Sequence, residues 1–447
     1  MKSSNCYLGN LLAQFSPLFT KPTFITFVTL VKGAILAPGY RTTTGMIRAA
    51  GGLAEKHYTT YHRFWSEARW NHWLAFRLLA KLVLAIVPGE VKLLVDDTVV
   101  RRWGRKVWGR GRHRDPVLSS RGYTVICSGH RWVTLAVAVK LPFTSRYWAL
   151  PVGALLHRRK ALCEKTNDRH RKPEELAKIL VYKLLRYFPE RRFVLIGDGG
   201  YRSADFALWC EKVGCELVSR INRNGVLYDD PKPHPPGRAG RPRKKGEVQP
   251  NFKERVLAAK PRDWQQGQVV WYQGVKKTVK WLSGTGLRYK VGLPTIRIRW
   301  VIVLDPETGE WDPFYSTRID RSAVSIIESY VLRWSLEVTF QEAREHLGLE
   351  SARNWAKMSV TRTVPCLLGL FTLISLYFRR LCQTAPPKPR GADWYQKQEL
   401  TFSDALIAIR KNLWGRLIIH EVGDPHVLGK TPPKFLEFVT DRLSATG

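Results

Sequence analysis

Between residues 91 and 219 the chain reads as strand, strand, strand, helix, strand, helix, strand. Few folds admit that order. Apolar runs of five to eight residues are too short for helices and must pair into a sheet, and amphipathic helices must then cover its faces. The strands are read at 91–98, 132–139, 147–155, 192–197 and 215–219, and the helices at 174–187 and 203–213, the second capped by Ser203. Two strands end in acid: Asp96 and Asp97 close the first, and Asp198 follows the fourth. Open sheets bind ligands in the crevice beyond their strand ends, so these carboxylates are expected there. Gly199 and Gly200 leave room for backbone to approach a ligand.

A third acid lies further along. Residues 322–347 contain no Gly or Pro and read as one helix, anchored by Ala323, Ile326, Ile327 and Val331. On a helix Tyr330, Arg333, Glu337 and Arg344 fall on one face. A carboxylate, a phenol and two guanidinium groups make a poor core and a good phosphate-and-metal surface. Hard divalent ions take oxygen ligands. Two of them side by side activate an attacking hydroxyl and stabilise the leaving oxygen of a phosphodiester. Asp96, Asp198 and Glu337 are therefore candidate catalytic and metal-ligating residues for Mg²⁺ or Mn²⁺, two ions in all. Strand alternation turns Asp96 and Asp97 to opposite sides, so only one holds metal; Asp96 is favoured, with Asp97 as the alternative.

The charge balance supports a polyanionic substrate. Lys and Arg number 73 against 37 Asp and Glu, a net charge of +36. A surface so basic calls for nucleic acid. Arg101, Arg102, Arg105 and Lys106, with Trp103 and Trp108 between and beyond them, suit a DNA backbone. Arg241 and Arg243 sit in a Pro-interrupted basic segment that fits a minor groove. Near the start, Thr42 to Thr44 cap a short helix, Gly51 and Gly52 end it, and a second helix is expected from Leu53. The aromatic and basic run 58–65 fits a helix-turn-helix. The seven cysteines are scattered without a C-x-x-C pair, which argues against a disulfide framework and a zinc finger and for a reducing, cytoplasmic setting. The apolar run 364–378 is short for a membrane span and reads as a buried helix. No membrane partner and no cleavable signal peptide are expected.

The expected organisation is an N-terminal helical DNA-binding domain (1–90), a first part of the catalytic core (91–221), a basic linker with a β-rich insertion (222–317), a second part of the core carrying the Glu337 helix (318–385), and a C-terminal helical region (386–447).

The pattern Tyr330-x2-Arg333-x3-Glu337-x6-Arg344 resembles the Y-R-E-K signature of bacterial insertion-sequence transposases of the DDE type, with Arg in place of the final Lys. Val95-Asp96-Asp97-Thr98 is similar to their first catalytic block, and Gly197-Asp198-Gly199-Gly200-Tyr201 to their second. The resemblance covers about residues 91–345. It implies an α/β fold: an RNase H-like mixed sheet flanked by helices, with an inserted β subdomain and an N-terminal helical domain. It also implies Mg²⁺-dependent cut-and-paste transposition on double-stranded DNA, at inverted repeats and a target, with a homodimer in the synaptic complex. Tyr330 and Arg333 would bind the backbone near the cut and Arg344 the transposon end. In relatives with a β insertion an aromatic holds a flipped base, for which Trp271, Trp281, Trp300 and Trp311 are candidates. The alternatives are an RNase H-like nuclease without strand transfer and a domesticated, DNA-binding derivative.

Overall fold

A computed structural model describes residues 7–115, 118–120, 122–233, 243–384, 387–389, 397–422 and 432–445. Five helices come first: α1 (Tyr7–Ala13), α2 (Lys21–Leu36), α3 (Thr43–Ala50), α4 (Tyr58–Ser66) and α5 (His72–Leu84). Thr42 caps α3 as expected, its hydroxyl accepting from the Gly45 N–H at 3.0 Å. Gly51 then takes a positive φ of 56°, which ends the helix. The next helix starts at Tyr58 rather than Leu53, because Gly51–Leu53 tightens into a 3-10 turn. In α4 the aromatic side chains Tyr61, Phe64 and Trp65 turn inward, while Tyr58, His62 and Arg63 stay exposed. The α5 helix lies on the sheet, and Gly153 is needed there because any Cβ would collide with the Phe76 ring.

The central strands are β1 (Val91–Arg101), β2 (Gly111–Arg114), β3 (Ile126–Lys140), β4 (Tyr147–His157), β5 (Phe193–Gly197) and β6 (Glu216–Arg220). Between them lie α6 (Lys160–Lys165), α7 (Pro173–Tyr187) and α8 (Ala204–Lys212). Strands β1, β3 and β4 form an antiparallel run, and β5 and β6 join parallel to β1. The spatial order β4-β3-β1-β5-β6 is RNase H-like. Parallel strands covered on both faces must be apolar throughout, and β5 is buried at every residue.

After β6 come α9 (Phe252–Ala258) and the strands β7 (Gln265–Val270), β8 (Lys276–Arg288), β9 (Ile296–Leu304) and β10 (Trp311–Ser316). The inserted β region does not stand apart. β10 pairs antiparallel with β6 through Phe314–Arg220, Tyr315–Ser219 and Ser316–Val218, and β9, β8 and β7 follow outward in one ten-stranded sheet. The edge of an RNase H-like sheet at β6 is thereby paired rather than exposed. β8 ends at Arg288, and a turn leads into β9.

The expected single helix over 322–347 is two: α10 (Ala323–Val331) and α11 (Trp334–Leu347). No Gly or Pro breaks it. The ladder shortens to i−3 bonds, Arg333 N–H to Tyr330 O at 3.1 Å and Leu336 N–H to Arg333 O at 3.0 Å. Ser335 steadies the step by donating its hydroxyl to Leu332 O at 2.7 Å.

The apolar run 364–378 extends to a 28-residue helix, α12 (Lys357–Thr384), with Pro365 inside it. It is long and apolar enough to cross a membrane, but 83% of its most apolar window is buried in the fold. It packs on β4, where Thr372 donates to Pro151 O at 2.6 Å. Among the described residues two further helices follow, α13 (Phe402–Val422) and α14 (Pro433–Ala445). Arg410 of α13 is buried and gives hydrogen bonds to Ile35 O (2.8 Å) and Ala37 O (3.0 Å), satisfying carbonyls at the C-terminal end of α2. One apolar core runs from the first helix to α13.

β3 carries an acid-sensitive anchor. His130 is 1% exposed and bonds through Nε2 to Trp108 O at 2.8 Å, fixing the basic loop after β1. Burial holds its imidazole down to about 4. The unfolded chain therefore binds a proton that the folded chain refuses, and stability is lost as pH falls from about 6.5 to about 4. The full loss from this residue is on the order of 3 kcal/mol. Chemical denaturation across that window should show a steeper acid loss in the wild type than in His130→Gln.

Candidate active site

The strand expected to close at the two acids runs on to Arg101, so Asp96 is the sixth of its eleven residues; it lies opposite Thr134 of β3, just past the Val95–Gly197 end of the pairing with β5, and is 8% exposed. Its Oδ2 accepts from Arg333 Nη1 at 2.8 Å, and its Oδ1 accepts from the Asp97 N–H at 2.8 Å. The same Arg333 Nη1 donates to Glu337 Oε1, one turn into α11. One guanidinium nitrogen thus joins the first acid of the sheet to the acid of the helix. Burial pushes the Asp96 carboxyl up to about 7; the Asp198 carboxylate adds to the rise, and Arg333 opposes it.

Asp97 points the other way, as strand alternation requires. It is ion-paired with Arg131 of β3 and accepts from the Tyr201 hydroxyl at 3.5 Å. The two adjacent acids therefore face different partners, and only Asp96 joins Glu337.

Asp198 follows β5 directly. Its Oδ1 accepts from the Gly200 N–H at 2.8 Å, and its carbonyl accepts from the Ser219 hydroxyl at 2.9 Å. The glycines around it answer to the chain itself rather than to a ligand. A Cβ on Gly200 would sit 2.9 Å from Asp198 Oδ1, and one on Gly197 would sit 2.8 Å from the Tyr201 Cβ. Among the described residues, no three carboxylate, imidazole or thiol side chains stand at metal-ligating spacing. The convergence is of two carboxylates on a guanidinium, with Asp198 beside them.

Tyr330 is 9% exposed and stacks on Phe314, ring centroids 4.1 Å apart. Burial raises its phenol to about 12, so it stays protonated and able to donate at neutral pH. Arg344 is turned onto the protein: it donates to Thr98 Oγ1 and Val99 O and lies 3.8 Å from Glu350. Its length and fork let it clasp the end of β1.

The basic loop divides. Arg101 pairs with Asp115 at 2.6 Å, and Arg102 is 6% exposed and donates to Leu349 O at 3.2 Å. Both tie the end of β1 into the fold: Arg102 is buried and must spend its donors internally, while the half-exposed Arg101 is held by its ion pair. Arg105 and Lys106 are exposed, as is Arg243. Arg241 lies outside the described residues. Of the tryptophans, Trp281 and Trp300 are core residues at 8% and 6% exposure, while Trp271 and Trp311 are half-buried.

The residues that sequence reading missed line a cleft of about 830 Å³ beside the acids: Arg202, Arg220, Arg223 and Lys253, together with Asp198, Trp311, Tyr330 and Arg333. Arg202, Lys253 and the pair Arg220 and Arg223 come from three separate stretches of the chain, so no single basic run announces them. Asp312 holds Arg220 at 2.5 Å and Arg223 at 3.1 Å, which orders both along one wall. Arg223 also stacks over Trp311, 4.6 Å from the ring centre.

An RNase H-like sheet with one acid just past the β1–β5 pairing, another directly after β5 and a third on a helix packed against β1 is the arrangement expected of a nuclease or transposase that works with metal ions. The comparisons agree. A family model described as DDE superfamily endonuclease matches residues 14–278, more than half of the chain, and the chain belongs to that family. Membership makes it a nuclease- or transposase-like protein acting on DNA. The match takes in Asp96, Asp97 and Asp198 and ends before α10, so the Tyr330–Arg344 pattern stands on its own residues. No curated protein matches the chain. Enzymes of this type use divalent metal ions, and the donor set fits one. Carboxylate oxygens are what such ions take, and the spot between Asp96 and Glu337 already draws a cation.

Proposed function

We propose that the chain is the transposase of an insertion sequence, cutting DNA at the element's ends and joining the freed 3′-OH to a target. The observation that carries this reading is the convergence of Asp96 and Glu337 on Arg333, with Asp198 at the neighbouring strand end. Asp96, Asp198 and Glu337 are the metal-holding acids. Mg²⁺ or Mn²⁺ bound there, two ions in the complete site, supplies Lewis-acid activation of water or of the 3′-OH. The residues of this chain do the rest. Arg220, Arg223, Lys253 and Arg202 hold the phosphates along the cleft. Tyr330 donates its phenolic proton to the backbone near the cut, where its stacking on Phe314 fixes its angle. Trp311, half-buried in the cleft beneath Arg223, is favoured over the buried Trp281 and Trp300 as a surface for an unstacked base. Arg344 positions the end of β1 through Thr98. The active assembly is a homodimer, since two ends must be held together, and the setting is cytoplasmic, at the nucleoid.

The test uses Mg²⁺, labelled inverted-repeat ends taken from the DNA flanking the gene, and a target plasmid. Cutting followed by joining supports the reading. Cutting without joining makes the protein a nuclease, and binding without either makes it a domesticated derivative. The cleft carries its own prediction. Arg220→Ala with Arg223→Ala should weaken DNA binding uniformly across sequences and flatten the log K against log salt slope by about 2, roughly 1 for each phosphate no longer neutralised. Fluorescence anisotropy over a salt series reads it; an unchanged slope would take both arginines out of the DNA path.

A further inference from the structure

We infer that Arg333 is the internal counter-cation of the acid pair, and that a divalent ion gains Asp96 and Glu337 only as Arg333 leaves them for a DNA phosphate in the cleft. This rests on the metal-holding role proposed for the acids. One nitrogen, Nη1, serves both carboxylates. Nη1 occupies the position between Asp96 Oδ2 and Glu337 Oε1 that an ion bridging the two carboxylates would take, and two cations held that close repel. Asp96 is nearly buried, and among the described residues Arg333 is the cation paired with it, so the bridging position goes either to Arg333 or to the ion.

Three features give Arg333 somewhere to go. It lines the cleft beside Asp198 and Tyr330, on the wall that the other arginines share. Its Nε is buried without a hydrogen-bond partner, a donor left over by the acid pair that a phosphate oxygen would satisfy. Its backbone lies at the step between α10 and α11, where the i−4 ladder is interrupted and Ser335 has taken up the Leu332 carbonyl. A guanidinium meets a phosphate as a planar fork, which the divided carboxylates do not offer to one nitrogen. DNA arrival therefore frees the acids, and metal arrival frees Arg333 for DNA. Such coupling is reciprocal by necessity: each ligand tightens the other by the same factor. The chain is then spared from cutting until DNA fills the cleft.

The experiment is Mn²⁺ binding to the full chain, followed by the EPR signal of the free ion, with and without a random-sequence duplex and with ion uptake by the duplex alone subtracted. The DNA-free wild type should bind weakly, and the duplex should tighten it. Arg333→Ala should bind the ion about tenfold tighter without DNA, within the roughly 5- to 150-fold range usual for coupled sites, and the duplex should add nothing further. Arg333→Gln, which keeps the length and drops the charge, repeats the measurement if the alanine variant does not fold. Equal or weaker Mn²⁺ binding in the DNA-free variants overturns the inference. If Glu337→Gln loses the ion while Arg333→Ala leaves affinity unchanged, the counter-cation role alone is wrong. If the wild type takes no ion with or without DNA, the metal-holding role of the acids fails as well.

Discussion

Glu337→Gln removes DNA cleavage and leaves DNA binding in place. The amide matches the carboxylate in size, and the side chain, at 36% exposure, is not part of the core that the change would disturb. What is lost is the negative charge that a hard cation requires. Substituting groups that merely orient metal ligands costs about 10- to 100-fold in affinity or activity, so loss of a ligand itself should exceed about 100-fold. DNA affinity should hold or rise, because the cations of the cleft all remain and Arg333 loses one of the two carboxylates that compete for it. A strand-nicking assay run beside anisotropy separates the two effects. A variant that still cuts at the wild-type rate would remove Glu337 from the site.

The second large effect distinguishes the adjacent acids of β1. Asp96→Asn should abolish cutting without lowering the thermal midpoint at about pH 8. The sign follows from the Asp96 carboxyl, raised from 3.8 to about 7 chiefly by burial. Between those values the folded chain holds a proton that the unfolded chain has released, so folding stability falls as pH rises through the window. Asparagine carries no such cost, and the variant should match or exceed the wild-type midpoint at alkaline pH, the gap closing towards about pH 4. Asp97→Asn should do the reverse: cutting persists, while stability drops by about 1 kcal/mol, a figure kept small because Arg131 is partly exposed. Calorimetry with the nicking assay on both variants reads the contrast. Loss of cutting in Asp97→Asn alone would exchange the two assignments.

The sequence made the catalytic side legible because its signals are local. Asp198 directly after β5, Ser203 capping α8 and Thr42 capping α3 each depend on residues a few positions apart, whereas β1 runs on past its two acids to Arg101. Alternation along β1 separated Asp96 from Asp97, and the structure turns them to Arg333 and Arg131 respectively. Other features are long-range and left no local trace. The pairing of β10 with β6 joins residues distant in the chain, so strands that read as an inserted module extend the central sheet. The step at Leu332–Arg333 has no Gly or Pro to announce it; a shift to i−3 bonds and one serine hydroxyl make it. Arg101 and Arg102 looked like DNA-binding residues because they sit in a basic cluster, yet their partners, Asp115 and the Leu349 carbonyl, lie elsewhere in sequence. The arginines that do line the cleft are spread over several elements.

The most direct measurement is the anomalous scattering of Mn²⁺ in crystals of the chain bound to duplex DNA. Ion density between Asp96, Asp198 and Glu337, with the Arg333 guanidinium moved onto a phosphate in the cleft, is the result this account predicts. Ion density only elsewhere, with Arg333 still joining Asp96 to Glu337 in the DNA-bound protein, would contradict it.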